Sequence, residues 1–404
     1  MNVLVLNCGS SSVKYELMDM KNSRRLARGL IERIGLDDAV VNHHYLEGED
    51  YKDAKLVREV KTHTQGIKIL FELLTDEKLG VIKDFKDIYG VGHRVVHGGE
   101  HYTGPVYVTE DVKNDIKECI ELAPLHNPHH LAGIEAIEDL IPDQPQVAVF
   151  DTAFHQSMEP SSYMYAFPYE LYTKYGIRRY GFHGTSHRYV SARAAEMVGK
   201  PIEELKIICC HLGNGASICA IDGGKSVNTS MGFTPLAGLV MGTRSGDFDP
   251  MILLYLMGKE SLSQCEANTL INKYSGLAGI SGVSGDFREI IESCKEGHER
   301  AQLAVDMTAL RIKHFIGSYA AQMNGLDLLI FTAGIGENSV ELREYTCQDM
   351  DYLGISIDKE KNKKARGVEG IISPDSSKVK VMVVPTDEEL LIARETARII
   401  SERK

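Results

Sequence analysis

Long apolar runs are missing from this chain. None of its hydrophobic stretches approaches the ~20 residues that a membrane-spanning helix needs, so no membrane partner is expected. A basic leader is missing too. The sequence starts Met1-Asn2-Val3-Leu4-Val5-Leu6, directly in a strand-like run, which argues against secretion. There is no Cys-x-x-Cys pair, and the eight cysteines are scattered. Reduced core thiols in the cytoplasm are the expectation. Cys209 and Cys210 are adjacent in an apolar run and would point to opposite faces of a strand. Positive charge is in deficit, with a formal net charge of −12. General nucleic-acid binding needs a basic face, so no such partner is expected. Any anionic ligand must be met by a few cations gathered locally.

The chain has 404 residues, beyond the roughly 250–300 at which a single core stops growing, so more than one domain is expected. Its 43% hydrophobic and 25% charged residues are an ordinary globular balance. Three strand-length apolar runs each lead into a glycine-rich turn. Val3–Leu6 leads into Asn7-Cys8-Gly9-Ser10-Ser11-Ser12, Ile207–Cys210 into His211-Leu212-Gly213-Asn214-Gly215, and Leu328–Phe331 into Thr332-Ala333-Gly334-Ile335-Gly336-Glu337-Asn338. The first two continue into a second strand-like stretch and read as hairpins. One such unit near the start and one near the middle suggest a duplicated α/β domain. Apolar spacings of three and four predict helices over 66–74, 188–198, 300–323 and 386–401. Thr386-Asp387-Glu388-Glu389 reads as the capping box of the last helix. A boundary is expected near Phe150-Asp151, after the strand Val147–Phe150.

A glycine turn exposes backbone N–H groups in a concavity that suits phosphate oxygens, although a single one is more simply a hairpin turn. Three of them, each ending a buried strand, favour a nucleotide. Two common nucleotide motifs do not fit. Gly334-Ile335-Gly336 lacks the third glycine of the dinucleotide fingerprint. Gly224-Lys225-Ser226 ends like a P-loop, but the residue five before Gly224 is Cys219, and a plain turn is the better reading. Ser12 and Lys14 share a face of the outgoing strand, where a lysine either reaches a phosphate or is merely solvated.

Arg94 and Val96 lie two apart on a predicted strand and so share a face. A short carboxylic acid requires such a pair, one group for the carboxylate and one for the methyl; a surface ion pair is the alternative. Asp151 ends a buried strand, where α/β folds place ligand groups. His183 and His187, and His126, His129 and His130, lack the spacing of a zinc site and read as hydrogen-bonding histidines. Arg244 stands among small residues, a setting that lets an arginine meet a ligand closely. Asp286-Phe287-Arg288-Glu289 opens a helix as a capping box, so Asp286 has a structural reason of its own.

Together these blocks resemble the acetate kinase family, within the sugar kinase, chaperone and actin superfamily of ATPases. The resemblance runs in order through Asn7-x-Gly9-Ser10-Ser11-Ser12-x-Lys14, His93–Gly99, Pro124–Pro128, Phe150–His155, Arg179–His187, His211–Gly215, Met241–Asp247 and Gly334–Asn338. It implies an α/β fold of two duplicated actin-like (ribonuclease H-like) ATPase domains with a central interdomain cleft. Residues 1–150 would form the first, with the helix 386–404 packing back on it; residues 151–385 would form the nucleotide-binding and dimerisation domain. The activity implied is reversible, Mg2+-dependent transfer of the ATP γ-phosphoryl group to acetate, with Mn2+ as an alternative metal. A homodimer is implied as well. Asn7 and Glu388 would lie at the metal. Ser12, Lys14 and the cradle His211, Leu212, Gly213, Asn214 and Gly215 would meet the phosphates. Asp286, Phe287 and Arg288 would meet the adenosine, with Gly334, Ile335, Gly336, Glu337 and Asn338 closing around it. Arg94 would hold the carboxylate, and Val96, Leu125, Phe182 and Pro235 the methyl group. His183 and Arg244 would stabilise the transition state, supported by His126, with Asp151 as the catalytic carboxylate.

An acid with a pKa near ~4–5 has no proton to lose at neutral pH, so Asp151 reads as an organiser of the metal or of an arginine rather than as a base. Two rivals stand beside this reading. One is a propionate or other short-chain acid kinase; the other is an ATP-binding switch of the same fold, against which Arg94, His183 and Arg244 argue together.

Overall fold

Alternation along the first strands decides which face of the first sheet meets which helix. In the computed structural model, which describes residues 1–403, β1 (Asn2–Cys8) sends Leu4 and Leu6 to one apolar core and Val3 and Val5 to another. The Leu4 face packs with Ile67, Leu70 and Leu74 of the helix His63–Thr75 and Ile137 of the helix Asn127–Leu140. The Val3 face is covered by Ile392, Ala393, Ala397 and Ile400 of the C-terminal helix Glu388–Glu402.

The remaining strands of this sheet are β2 (Ser12–Asp19), β3 (Arg24–Glu32), β4 (Ala39–Glu47), β5 (Asp50–Arg58), β6 (Ile88–Val95), β7 (Val106–Tyr107) and β8 (Gln146–Phe150). Their order is β5-β4-β3-β2-β1-β6-β8-β7. β1, β6 and β8 are mutually parallel neighbours, whereas β1 through β5 form an antiparallel meander. The C-terminal helix lies close to β6 because two residues there have no side chain. A Cβ on Gly90 would come within 2.1 Å of Ile400 Cδ1, and one on Gly92 within 2.3 Å of Thr396 Oγ1.

The second sheet is built from β9 (Lys206–Leu212), β10 (Ala216–Asp222), β11 (Lys225–Thr229), β12 (Leu328–Thr332), β13 (Gly370–Ile371) and β14 (Lys380–Val383), in the order β11-β10-β9-β12-β14-β13. Here β9, β12 and β14 are parallel and β9–β10 is the hairpin. Cys209 and Cys210 are fully buried, because both faces of β9 are covered. The order β11-β10-β9-β12-β14 repeats β3-β2-β1-β6-β8, so the chain is a duplicated α/β protein.

The chain divides into one unit of Met1–Gln156 with the segment from Asp387 onward, and a second of Ser157–Thr386. The division after β8 therefore falls at Gln156, a few residues beyond Phe150. Two local expectations are corrected. The last helix is capped by Asp387, whose side chain accepts from Leu390 N; Thr386 stands outside it, because its hydroxyl bonds Ser186 instead. The third glycine cluster is a short helix, Ala333–Asn338, rather than a turn. The Gly223-Gly224 pair, both at positive φ, is the β10–β11 turn, as a plain hairpin requires.

Candidate active site

Three adjacent parallel strands bring Asn7, Arg94 and Asp151 together in the first unit. Asn7 is near the carboxyl end of β1, Arg94 near that of β6, and Asp151 directly follows β8. The backbone ladder continues past β8, with Asp151 N donating to Val95 O at 2.9 Å. Asp151 is buried, and its Oδ2 accepts from Arg94 Nε at 3.1 Å and Nη2 at 2.5 Å. Arg94 Nη1 lies 3.4 Å from Asn7 Oδ1, and Glu388 Oε2 lies 3.9 Å from Arg94 Nε.

The N-cap and first turn of the C-terminal helix carry Asp387, Glu388 and Glu389. Each faces a cation of the same unit: Arg25 meets Asp387 at 2.6 Å, Arg94 meets Glu388, and Lys14 pairs with Glu389. Burial opposes charge on both Glu388 and Arg94, and the neighbours decide the outcome differently. Burial, Asp151 and Glu389 push the Glu388 carboxyl up to about 7 despite Arg94. Arg94 is held protonated, above its ordinary value, by Asp151 and Glu388. The turn between β1 and β2 is closed by Gly9 N donating to Ser12 O at 2.8 Å, and His63 Nε2 lies 2.6 Å from Gly9 O. Val96 is buried just past β6, Leu125 is exposed, and His126 occupies the N-cap position of the helix Asn127–Leu140.

The second unit gathers a different set. The turn between β9 and β10 is pinned by Gly213 N donating to Gly215 O and by Gly242 N donating to Asn214 O, both at 3.1 Å. Gly215 is a close-approach position. A Cβ there would lie 3.6 Å from Arg244 Nη1 and 3.6 Å from His183 Nε2. His183 sits in the left-handed region at φ +59°, directly before the helix Gly184–Val198, and its ring stacks on His211 with centroids 4.1 Å apart. His211 Nδ1 is 2.8 Å from Ser186 Oγ, which in turn lies 2.8 Å from Thr386 Oγ1. Arg244 donates to Pro235 O at 3.1 Å and contacts Met241 Sδ at 3.8 Å; no carboxylate among the described residues pairs with it. Burial lowers its pKa, the expected effect on a guanidinium with no acid beside it.

A pocket of about 700 Å3 in this unit is lined by Gly213, Asn214, Asp286, Phe287, Arg288, Gly334, Ile335 and Asn338, residues drawn from three separate motifs. Asp286 caps the helix Phe287–Lys295, accepting from Arg288 N at 2.9 Å, and also holds the Arg288 guanidinium at 2.6 Å. Gly336 and Glu337 do not line the pocket. Gly336 is buried, and Glu337 Oε1 accepts from Thr386 N at 3.1 Å. Phe182 is buried in this unit and Pro235 is half-buried.

Several contributors went unread in the sequence. Lys295, Glu292, Glu341 and Arg366 also line the pocket, but the 2.8 Å Lys295–Glu292 pair looks in sequence like any solvated helical ion pair. Arg343 is fully buried. It donates to the carbonyls of Gly336 at 2.7 Å and Glu337 at 2.9 Å, and to Asn362 through Oδ1 at 2.7 Å and O at 3.0 Å. It thereby satisfies the end of the short helix beside the pocket. Burial pushes its pKa down to about 10. Flanked in sequence by Glu341, Leu342, Glu344 and Tyr345, it carries no sign of burial.

A model of the acetokinase family matches residues 2–394. An acetate kinase of Thermoanaerobacter pseudethanolicus is 55% identical over 405 residues, covering all of both chains. Among solved structures, the acetate kinase of Porphyromonas gingivalis superposes with a TM-score of 0.95 at 50% identity, covering 99% of each chain. A propionate kinase from Francisella tularensis superposes with a TM-score of 0.90 at 42% identity, covering 98% of this chain and 99% of its own.

Proposed function

The chain belongs to the acetokinase family, kinases that transfer phosphate to acetate, and from that premise we propose how its residues divide the reaction. Acetate enters as the anion, with its carboxylate on Arg94 and its methyl group against Val96, Leu125, Phe182 and Pro235. Asp151 has no proton to remove from an ionised acceptor. Its two bonds to Arg94 support a role in fixing that guanidinium, which makes it a positioning group.

The nucleotide occupies the 700 Å3 pocket, its adenosine near Asp286, Phe287 and Arg288 and between Gly334, Ile335 and Asn338. Its phosphates lie along His211–Gly215, with Ser12 and Lys14 as further phosphate contacts. Arg244 and His183 then serve the transferred phosphoryl group, whose charge must be met by cations more than by covalent chemistry. The observation that carries this reading is Arg244 itself, a half-buried guanidinium beside a glycine turn with no carboxylate to neutralise it.

Asn7 and Glu388 would hold Mg2+. The donors fit a hard divalent cation, since Asn7 Oδ1, Asp151 and Glu388 are oxygen ligands around one arginine, and Glu388 is a carboxyl whose charge burial disfavours. Bound there, the ion would supply charge neutralisation to the phosphates. Mn2+ has the same ligand preference.

We further place the protein in the cytoplasm as a homodimer. All eight cysteines are free, and no described helix is long and apolar enough to cross a membrane. The helix Pro250–Lys259 has no buried residue and leaves Met251, Ile252, Leu254 and Tyr255 exposed, an apolar surface that a second copy would cover.

The decisive experiment traps product as the hydroxamate after incubation with ATP, Mg2+ and acetate. Acetyl hydroxamate above background is expected, and none would sink the reading. A propionate preference is the second reading, favoured by the superposition on a propionate kinase. One methylene is worth about 1–3 kcal/mol in such a pocket, so kcat/KM for acetate, propionate and butyrate separates the two.

A further inference from the structure

Ser217 lies on β10 opposite His211, is fully buried, and faces two imidazoles at once. Its Oγ is 2.9 Å from His183 Nδ1 and 2.8 Å from His187 Nε2. The two histidines stand four residues apart at the start of one helix and so present to the same side. The far edge of the His183 ring, carrying Nε2, faces the Gly215 turn beside Arg244. Charged or titratable groups around His183 include His211 stacked on it, His187 on its own helix, and Arg244 across the turn.

A hydroxyl has one hydrogen. Ser217 can donate to only one of the two ring nitrogens and must accept an N–H from the other. The atom that bonds one imidazole nitrogen decides where the ring carries its proton. We propose that Ser217 is a positioning residue for phosphoryl transfer, keeping an N–H on His183 Nε2 toward the Gly215 turn. In the neutral ring, the Ser217 hydroxyl donates to His183 Nδ1 and accepts from His187 Nε2–H, so the His183 proton resides on Nε2. When His183 gains a second proton, Nδ1–H donates to Ser217 Oγ, which turns its own hydrogen toward His187 Nε2 as the neutral His187 ring shifts its proton from Nε2 to Nδ1. The Nε2–H is present in both states. A side chain that only donates or only accepts would support one of them.

This inference rests on the role given to His183 above, and the test separates the two. At saturating Mg2+, which would keep Glu388 ionised, wild type should keep kcat nearly constant as pH rises from 6 to 8. Ser217→Ala removes the lock on the neutral ring but leaves the charged ring with its Nε2–H. Its kcat should fall about tenfold at pH 8 and only two- to threefold at pH 6, with KM for ATP and acetate within about threefold of wild type. Ser217→Thr, which keeps the hydroxyl, should restore the flat profile. Ser217→Cys, which keeps the volume with a weak donor, should behave like alanine and serves if the alanine variant does not fold. A Ser217→Ala or Ser217→Cys enzyme with wild-type kcat and profile would overturn the inference. So would an equal loss at every pH that threonine does not restore. Should His183→Ala keep wild-type kcat, the reading of His183 fails instead.

Discussion

The two units run the same strand order and end their first hairpin in a glycine turn, yet they treat their arginines oppositely. Arg94, beside β1, β6 and β8, is bonded twice by Asp151 and approached by Glu388. Arg244, beside the β9–β10 turn, has a carbonyl and a thioether for company and no acid. The first surrounding holds more carboxylate than cation, which suits a divalent metal and one small monoanion. The second leaves positive charge uncancelled, which suits the polyanionic end of a nucleotide. A duplicated scaffold has therefore been differentiated by charge pairing at equivalent ends rather than by topology.

Removing each arginine is the strongest way to break that contrast. Arg244→Gln should lower kcat by about 10²–10³-fold and change stability little, because no carboxylate is stranded and the glutamine amide can still donate to a carbonyl. Arg94→Gln should lose comparable activity and also about 3–5 kcal/mol of stability, since it leaves the buried Asp151 carboxylate without its cation. Urea unfolding alongside kcat tests this; equal stability losses in both variants would end the distinction. Next in size is Asp151→Asn, expected to lower kcat about 10–100-fold and raise the Mg2+ requirement. Near-wild-type turnover with unchanged metal dependence would refute the positioning role.

Acid should find the first unit through His93, which precedes Arg94 on β6. Burial lowers its pKa to about 4, against the bond to Gln146 that raises it. Between pH 6.5 and about 4 the unfolded chain therefore holds more protons than the folded one, and stability falls as pH drops through that window. The contribution at pH 5 is about 2 kcal/mol relative to pH 7. His93→Gln should show a shallower loss between unfolding experiments at those two pH values, and an unchanged slope would remove His93 from the account. The smallest effect concerns a third way of holding an arginine, by carbonyls alone. Arg343→Met leaves the Gly336 and Glu337 carbonyls unpaired and should raise KM for ATP about tenfold while sparing KM for acetate. Equal changes in both constants would mean that it acts on the whole unit.

Much of this was readable before any coordinates. The β1–β2 and β9–β10 hairpins follow from apolar runs interrupted by glycine, and the pocket gathers Asp286, Phe287, Arg288, Gly334 and Ile335 from motifs visible as strings. The misreadings share a cause. Thr386 looks like a cap by its neighbours, but a hydroxyl from Ser186, 200 residues away, occupies it. Gly334–Asn338 looks like a turn, but its helical geometry is fixed by Arg343 and Asn362 behind it.

By itself, then, the sequence determined whatever depends on composition and near neighbours: strand and helix periods, turn-forming glycines, scattered cysteines, a net negative charge, and the short blocks that mark the family. The tertiary structure decided which charges are cancelled. Arg94 with Asp151, Lys14 with Glu389 and Ser217 between two imidazoles are pairings across long stretches of chain. The physical reason is that the state of a buried polar group depends on the atoms within hydrogen-bond reach, and only the folded backbone chooses those atoms.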